Sequence, residues 1–351
     1  MATLARRDDA GLAAGLRDWW AHRMPQAVAC AVIELERPAS GWANEMLFAT
    51  LEWRDGATIR RERVVVRLPP PIPAYPTYDL AAQARVLEVV AGTAVPVPAV
   101  IAFEPDESWL GAPFLVMARA PGRPGGEAPS LDPWLVDAPL DQQRALHDEL
   151  ATTLAAIHRI DWRAADLTSV LRGGDGRLAH EVAWWRTYLD WAHDGASPGA
   201  LRDAIGWCAA TVPAREPHAS LCWGDARIGN VLYSDDRRMT AVLDWELASI
   251  GPAEMDLAWY LALDALTTRF SGREVPGFRS RDEFVERYER ALGRAVVDLE
   301  WHEIFALVRS VAISERLARL AADAGLPYPG VAGDENPILH HLTRRIERFA
   351  P

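Results

Sequence analysis

The segment Leu221 to Glu246 reads LCWGDARIGNVLYSDDRRMTAVLDWE, with three short polar clusters set in apolar chain. The clusters are Gly224-Asp225, Gly229-Asn230 and Asp244-Trp245-Glu246. Val231 to Tyr233 and Ala241 to Leu243 read as strands, and Asp235-Asp236 as the turn joining them. Such a hairpin sets Asn230 and Asp244 side by side, although fourteen positions separate them. A carboxylate beside an amide oxygen suits a hard cation such as Mg2+, with nucleotide phosphates supplying further oxygens. Asp225 is placed to accept a proton from a hydroxyl, and Arg227 to neutralise charge on a phosphoryl group in transfer.

The remaining composition narrows the partners. The chain has 351 residues, enough for two packed units, and is 50% apolar and 25% charged, as globular proteins are. A formal charge of -12 argues against non-specific nucleic-acid binding. It favours plain solubility, or a neutral or cationic small partner. No apolar run reaches the roughly 18 residues of a membrane span, and the start MATLARRDDAGLAAGL has no secretory character. A cytoplasmic protein is expected. The three cysteines, Cys30, Cys208 and Cys222, are too few and too scattered for a disulfide framework or a zinc site. Lysine is absent, so all 37 basic residues are arginine. Lysine Schiff-base chemistry and the standard P-loop are thereby excluded, and a phosphate site must use arginine, backbone N–H groups or metal.

Along the chain, residues 10 to 22 read as an amphipathic helix. Strand-like runs follow at Ala29 to Leu35, Met46 to Trp53 and Arg63 to Leu68, with Asp55-Gly56 as a hairpin turn. Pro69, Pro70, Pro71, Pro73 and Pro76 make a stiff connector into a helix over Asp79 to Val90. Ala99 to Phe103 and Phe114 to Ala118 complete a small antiparallel sheet. Beyond the joint PGRPGG, helical periodicity dominates, beginning with a helix that Asp141 is placed to cap.

The ordered set WGDARIGN, VLDWE and GPAEMDLAW resembles the aminoglycoside phosphotransferase and choline kinase family. Its form is similar to a bacterial branch related to kinase-like domains attached to some acyl-CoA dehydrogenases. The likeness covers roughly Pro38 to Phe305. It implies an α+β, bilobal, protein-kinase-like fold, with a nucleotide-binding lobe over residues 1–120 and a helical lobe over 121–351. It implies Asp225 as catalytic base, Asn230 and Asp244 as Mg2+ ligands, and Glu246 as a contact to a second ion. Asp256, in DLAW, would brace the catalytic loop through backbone hydrogen bonds.

In the first lobe, the likeness sets Ala39 to Asn44, with Gly41 and Asn44, where the family has a phosphate-covering loop. An ordinary hairpin turn reads equally well there. Arg67 falls where kinases place a phosphate-gripping lysine, and Val65, on the same strand face, would lie under adenine. A solvated edge charge is the competing reading of Arg67. Met117 would line the adenine pocket, and backbone groups of Ala118 to Ala120 would bond the base; a core strand and turn is the bland alternative. Two positions depart from the pattern. Gln83 stands where a glutamate pairs with the basic residue, and could only hydrogen-bond Arg67. Trp223 replaces a common histidine and would pack under the loop, its N–H needing a partner.

The expected activity is transfer of the γ-phosphoryl of ATP to a hydroxyl of a small molecule. The acceptor classes are aminoglycoside-like, amino-alcohol or hydroxyacyl compounds. A catalytically silent nucleotide-binding module and a metal-dependent phosphoesterase are the competing readings.

Overall fold

The structure is a computed structural model that describes residues 7–38, 45–195, 197–214, 218–325, 333 and 336–349. Gly41 and Asn44 lie outside the described residues. The chain opens with helix α1 (Asp9–Arg23), capped by Asp8, whose carboxylate accepts the Gly11 N–H at 2.8 Å. Strands β1 (Val28–Glu36), β2 (Glu45–Asp55) and β3 (Thr58–Leu68) follow. Helix α2 (Leu80–Ala91) then leads to β4 (Val100–Glu104) and β5 (Phe114–Ala118). The five strands form one antiparallel sheet in the order β1-β2-β3-β5-β4.

Strand β3 extends five residues N-terminal of its expected start at Arg63. Its extension, Thr58 to Glu62, is largely exposed and polar apart from Ile59, so it pairs with β2 through backbone bonds and carries no apolar alternation. The rest of β3 alternates strictly. Val64, Val66 and Leu68 pack under α1 with Leu16, Trp19, Leu47, Phe114 and Val116. Val65 belongs to the opposite face and is paired with Met117. That face, with Leu115 and α2, is continuous with the core of the helical lobe.

The helical lobe comprises α3 (Pro133–Val136), α4 (Leu140–His158), α5 (Leu178–Ala192), α6 (Gly199–Ala210), α7 (Glu254–Ser271), α8 (Arg281–Leu292), α9 (Leu299–Asp323) and α10 (Pro337–Phe349). The N-cap of α4 is Pro139, not Asp141. Asp141 lies in the first turn, where its charge still favours the positive end of the helix. Among the described residues no helix is long and apolar enough to cross a membrane.

The joint PGRPGG is not a loose linker. Its residues Arg123–Pro124 form β6, which pairs with β8 (Val231–Tyr233), and β8 pairs with β9 (Met239–Val242). A separate ribbon joins β7 (Ala219–Cys222) to β10 (Ser249–Pro252). The β7–β10 ribbon brackets the segment Leu221 to Glu246 and the β8–β9 hairpin lies within it, so strand pairing fixes where its polar clusters emerge.

One buried group ties this lobe to pH. His147 on α4 bonds Tyr260 Oη through Nε2 at 2.7 Å, and its Nδ1 accepts the Arg279 N–H at 2.9 Å. The accepting Nδ1 fixes the neutral tautomer, with the proton on Nε2. Burial pushes its pKa down to about 3. An unfolded histidine titrates near ~6.5. The unfolded chain therefore takes up protons first as pH falls, and stability present above that value is lost from about pH 6.5 toward pH 3. Urea denaturation across that range should show a falling unfolding free energy, with a shallower decline in His147→Gln. An equal slope in both proteins would contradict it.

Candidate functional site

The site is built at the meeting of the sheet and the helical lobe. After β7 the chain turns sharply at Gly224, whose φ is 94°. A Cβ there would lie 2.2 Å from the Leu247 carbonyl oxygen, so only glycine fits. Asp256, in the first turn of α7, holds the turn. Its carboxylate accepts the Trp223 N–H at 2.6 Å, the Gly224 N–H at 2.9 Å and His158 Nε2 at 3.1 Å. The Trp223 indole finds its partner in the Leu243 carbonyl at 2.7 Å, which ties the turn to the end of the hairpin.

This frame presents Asp225. Its Oδ1 accepts Trp259 Nε1 at 2.8 Å, and its Oδ2 accepts Asn230 Nδ2 at 2.6 Å and Arg227 Nε at 3.0 Å. Oδ1 retains a lone pair in this arrangement, so the carboxylate can still accept a proton from a hydroxyl. Arg227 also pairs with Glu127. Burial works against its charge, but Asp225 and Glu127 outweigh that and hold its pKa above the ordinary arginine value.

Asn230 ends a single 3-10 turn, Ile228–Asn230, rather than an open loop. Its carbonyl accepts the Leu243 N–H at 2.8 Å, which brings it beside Asp244. Asp244 has a φ of 60°, a left-handed conformation that costs a non-glycine residue about 1 kcal/mol or more. The strain is tolerated where paired strands and Trp245, buried behind it, over-determine the backbone.

The donor set fits a hard cation. Asn230 spends its Nδ2 on Asp225, which leaves Oδ1 as its acceptor. Asp244 gives Oδ1 to Arg67, and its side chain is 29% exposed. Every available donor of Asn230, Asp244 and Glu246 is oxygen, the preference of Mg2+. A second triplet, His158, Cys222 and Asp256, also lies close together, but all three are buried. His158 and Asp256 are committed to the loop and to Tyr288, and the Cys222 thiol donates to the Gly251 and Pro252 carbonyls.

Arg67 crosses between the lobes. Only 6% exposed, its Nη2 lies 3.1 Å from Asp244 Oδ1 and 3.2 Å from Glu246 Oε2. Burial opposes its charge, while Asp244 and then Glu246 more than compensate and raise its pKa. The edge-charge reading of Arg67 is thereby replaced by a buried ion pair. The hydrogen bond expected from Gln83 to Arg67 is not formed: Gln83 Oε1 is buried without a partner. Carboxylates from the opposite lobe take its place.

Val65 and Met117 sit as a cross-strand pair on the cleft-side face. The expected base contacts at Ala118 to Ala120 are narrowed, because the Ala118 N–H goes to the Ala99 carbonyl and the Arg119 N–H to Arg63. Of these three amides, that of Ala120 is left without a backbone partner.

Three contributors have no site role assigned by the sequence, although Trp259 closes the DLAW segment. The proline connector docks on the helical lobe, with Tyr188 Oη bonded to the Ala74 carbonyl at 3.2 Å and Arg316 Nη2 to Pro73 at 2.8 Å. It delivers Tyr78 Oη to 3.3 Å from Glu246. Trp259 follows Asp256 by three positions, one helical turn, and this spacing was the available signal for its contact with Asp225. Arg309, from the distant α9, reaches the Gly224 carbonyl at 2.8 Å, and nothing in its sequence neighbourhood announces that.

Asp256→Ala would strand two buried backbone N–H donors, besides removing the partner of His158 Nε2. Each unpaired backbone donor costs about 1–3 kcal/mol, so a loss of at least ~2–6 kcal/mol is expected in urea denaturation. A change below about 0.5 kcal/mol would show that the loop is held elsewhere.

The sequence matches the model of the phosphotransferase enzyme family over residues 34–305. Acyl-CoA dehydrogenase family member 10 of Mus musculus is 29% identical over 201 residues, covering 56% of this chain and 18% of that protein. The chain spans less than a third of the length of the first curated relatives it matches, between 18% and 28%. Among solved structures, an ethanolamine kinase of Plasmodium vivax superposes with a TM-score of 0.57 at 11% identity, covering 91% of this chain and 82% of the other. A thermostable mutant of an aminoglycoside phosphotransferase, in ternary complex with ADP and hygromycin B, superposes at 0.52 with 13% identity, covering 95% and 97%. The fold is therefore the bilobal α+β kinase-like one, and since the family match spans most of the sequence, this chain belongs to the phosphotransferase enzyme family.

Proposed function

We propose that the chain transfers the γ-phosphoryl group of ATP to a hydroxyl of a small molecule, with Asp225 as the base. The observation that carries this reading is the Asp225 carboxylate, pinned by three donors yet retaining acceptor capacity, beside the all-oxygen set of Asn230 and Asp244. Mg2+ held by Asn230 and Asp244, with Glu246 near a second ion, would neutralise charge on the nucleotide phosphates. Arg67 would bind phosphate oxygens, and Val65 and Met117 would flank the base. Arg227 would steady the phosphoryl oxygens in flight. Asp225 would orient the acceptor hydroxyl and take its proton, and most of the acceleration would come from positioning and charge stabilisation. The division into a nucleotide lobe over 1–120 and an acceptor-carrying lobe over 121–351 belongs to the same reading, as does action in the cytoplasm.

Aminoglycoside-like compounds, amino alcohols and hydroxyacyl compounds are the acceptor classes to try. A silent nucleotide-binding module is the second reading, and the unpartnered Gln83 Oε1 with Arg67 drawn onto Asp244 favours it.

A screen of hydroxyl compounds with ATP and Mg2+, read by ADP formation, separates the two. Acceptor-dependent turnover is expected, with a fall of at least about 100-fold in Asp225→Asn at retained nucleotide binding. Asp244→Ala should abolish the turnover that the divalent cation supports. Nucleotide binding without turnover on any acceptor would establish the silent module.

A further inference from the structure

Arg309 lies in the middle of α9 and is entirely buried. Its guanidinium stacks 4.5 Å from the Trp259 ring centre and 5.0 Å from that of Trp185, and Nη2 donates to the Gly224 carbonyl at 2.8 Å. Its Nε and Nη1 have no partner. Glu181 on α5, also buried, supplies opposing charge, and Arg172 pairs with Glu181 at 3.3 Å. A buried arginine with two unpaired nitrogens adds little to stability, because an apolar side chain of similar volume packs there without desolvating a charge. Its location suggests a different use.

The peptide that ends in the Gly224 carbonyl is the one that begins Asp225. Asp256 fixes the two preceding peptides by their N–H groups. Arg309 fixes the third by its oxygen. It also supports the face of Trp259, whose indole N–H holds Asp225 Oδ1. One guanidinium thus touches both the backbone and the side-chain support of the same carboxylate. Asp256 was expected to brace this loop, and Arg309 acts from the other side.

We propose that Arg309 is a positioning residue that aims the Asp225 carboxylate, by gripping the Gly224 carbonyl and backing the Trp259 indole. The proposal rests on the reading of Asp225 as the base. Arg309 is wholly buried and its one hydrogen bond goes to the loop backbone, so its loss should lower kcat far more than it changes nucleotide affinity.

The test compares wild type with Arg309→Met, Arg309→Lys and Trp259→Phe. Amide hydrogen exchange of a peptide covering residues 223–230 is read by mass spectrometry beside peptides from α4 and α7. In Arg309→Met, exchange in 223–230 should quicken by about tenfold while the helices stay protected. Turnover should fall about 100-fold with the nucleotide KM changed less than about threefold. Arg309→Lys, which keeps a donor, should recover part of both losses. Trp259→Phe should lower kcat while leaving exchange at Gly224 and Asp225 slower than in Arg309→Met. If Arg309→Met does not fold, the lysine and phenylalanine variants decide by the same two readouts. Unchanged exchange in 223–230, or loosening spread evenly through the helices, would overturn the proposal. Absence of turnover in wild type would instead sink the phosphotransfer reading, and the exchange measurement would still decide the role of Arg309 in holding the loop.

Discussion

Two short hydrogen bonds, from the backbone of Trp223 and Gly224 to the buried Asp256, are the constraint on which the rest of the site depends. A carboxylate out of water must be met by donors, and here the donors are the turn itself. Asp256 sits in the first turn of α7, where the helix end also favours negative charge. The turn cannot relax without exposing that charge to apolar surroundings. Asp225 therefore leaves the turn in one direction, and Trp259, one turn further along the same helix, meets it. The hairpin of β8 and β9 completes the arrangement by returning Asp244 to Asn230.

The second organising interaction is electrostatic and joins the lobes. Arg67 comes from a strand whose alternate residues are buried under α1, so its own face must turn toward the cleft. Burial of a guanidinium there is tolerable only because Asp244 and Glu246 stand opposite. In this chain the basic residue is thus anchored by the carboxylates of Asp244 and Glu246 instead of by helix α2. The planar fork of arginine can share oxygens with phosphate or with carboxylate, which makes the lysine-free composition compatible with the site. Tyr78, brought in by the proline connector, adds a neutral donor to Glu246, with burial and then Glu246 keeping its hydroxyl protonated.

Much of this was legible in sequence, for identifiable reasons. The β2–β3 hairpin and β5 show short apolar runs bounded by turn residues, so their cores could be read. The polar start of β3 could not, because it leaves the core and is held by backbone pairing alone. Asp225, Asn230 and Asp244 stand at distinctive spacings, and two flanking strands explain why they meet. The misplaced cap on α4 reflects a proline that begins the helix without any side-chain bond. The failed contact from Gln83 to Arg67 has another origin: the partners of Arg67 lie 177 and 179 positions away, and no local pattern encodes such pairs. Arg309 is hidden for the same reason, as one of three arginines in a long helix with no local pattern to mark it.

The gathering of these residues into one metal–nucleotide site is tested most directly by electron paramagnetic resonance of Mn2+ added with ATP. With unbound Mn2+–ATP removed by gel filtration, protein-bound manganese coupled to phosphate phosphorus is predicted in the wild type and should vanish when Asp244 is replaced by alanine. A signal that persists unchanged without Asp244, or manganese bound with no phosphorus beside it, would contradict a shared site.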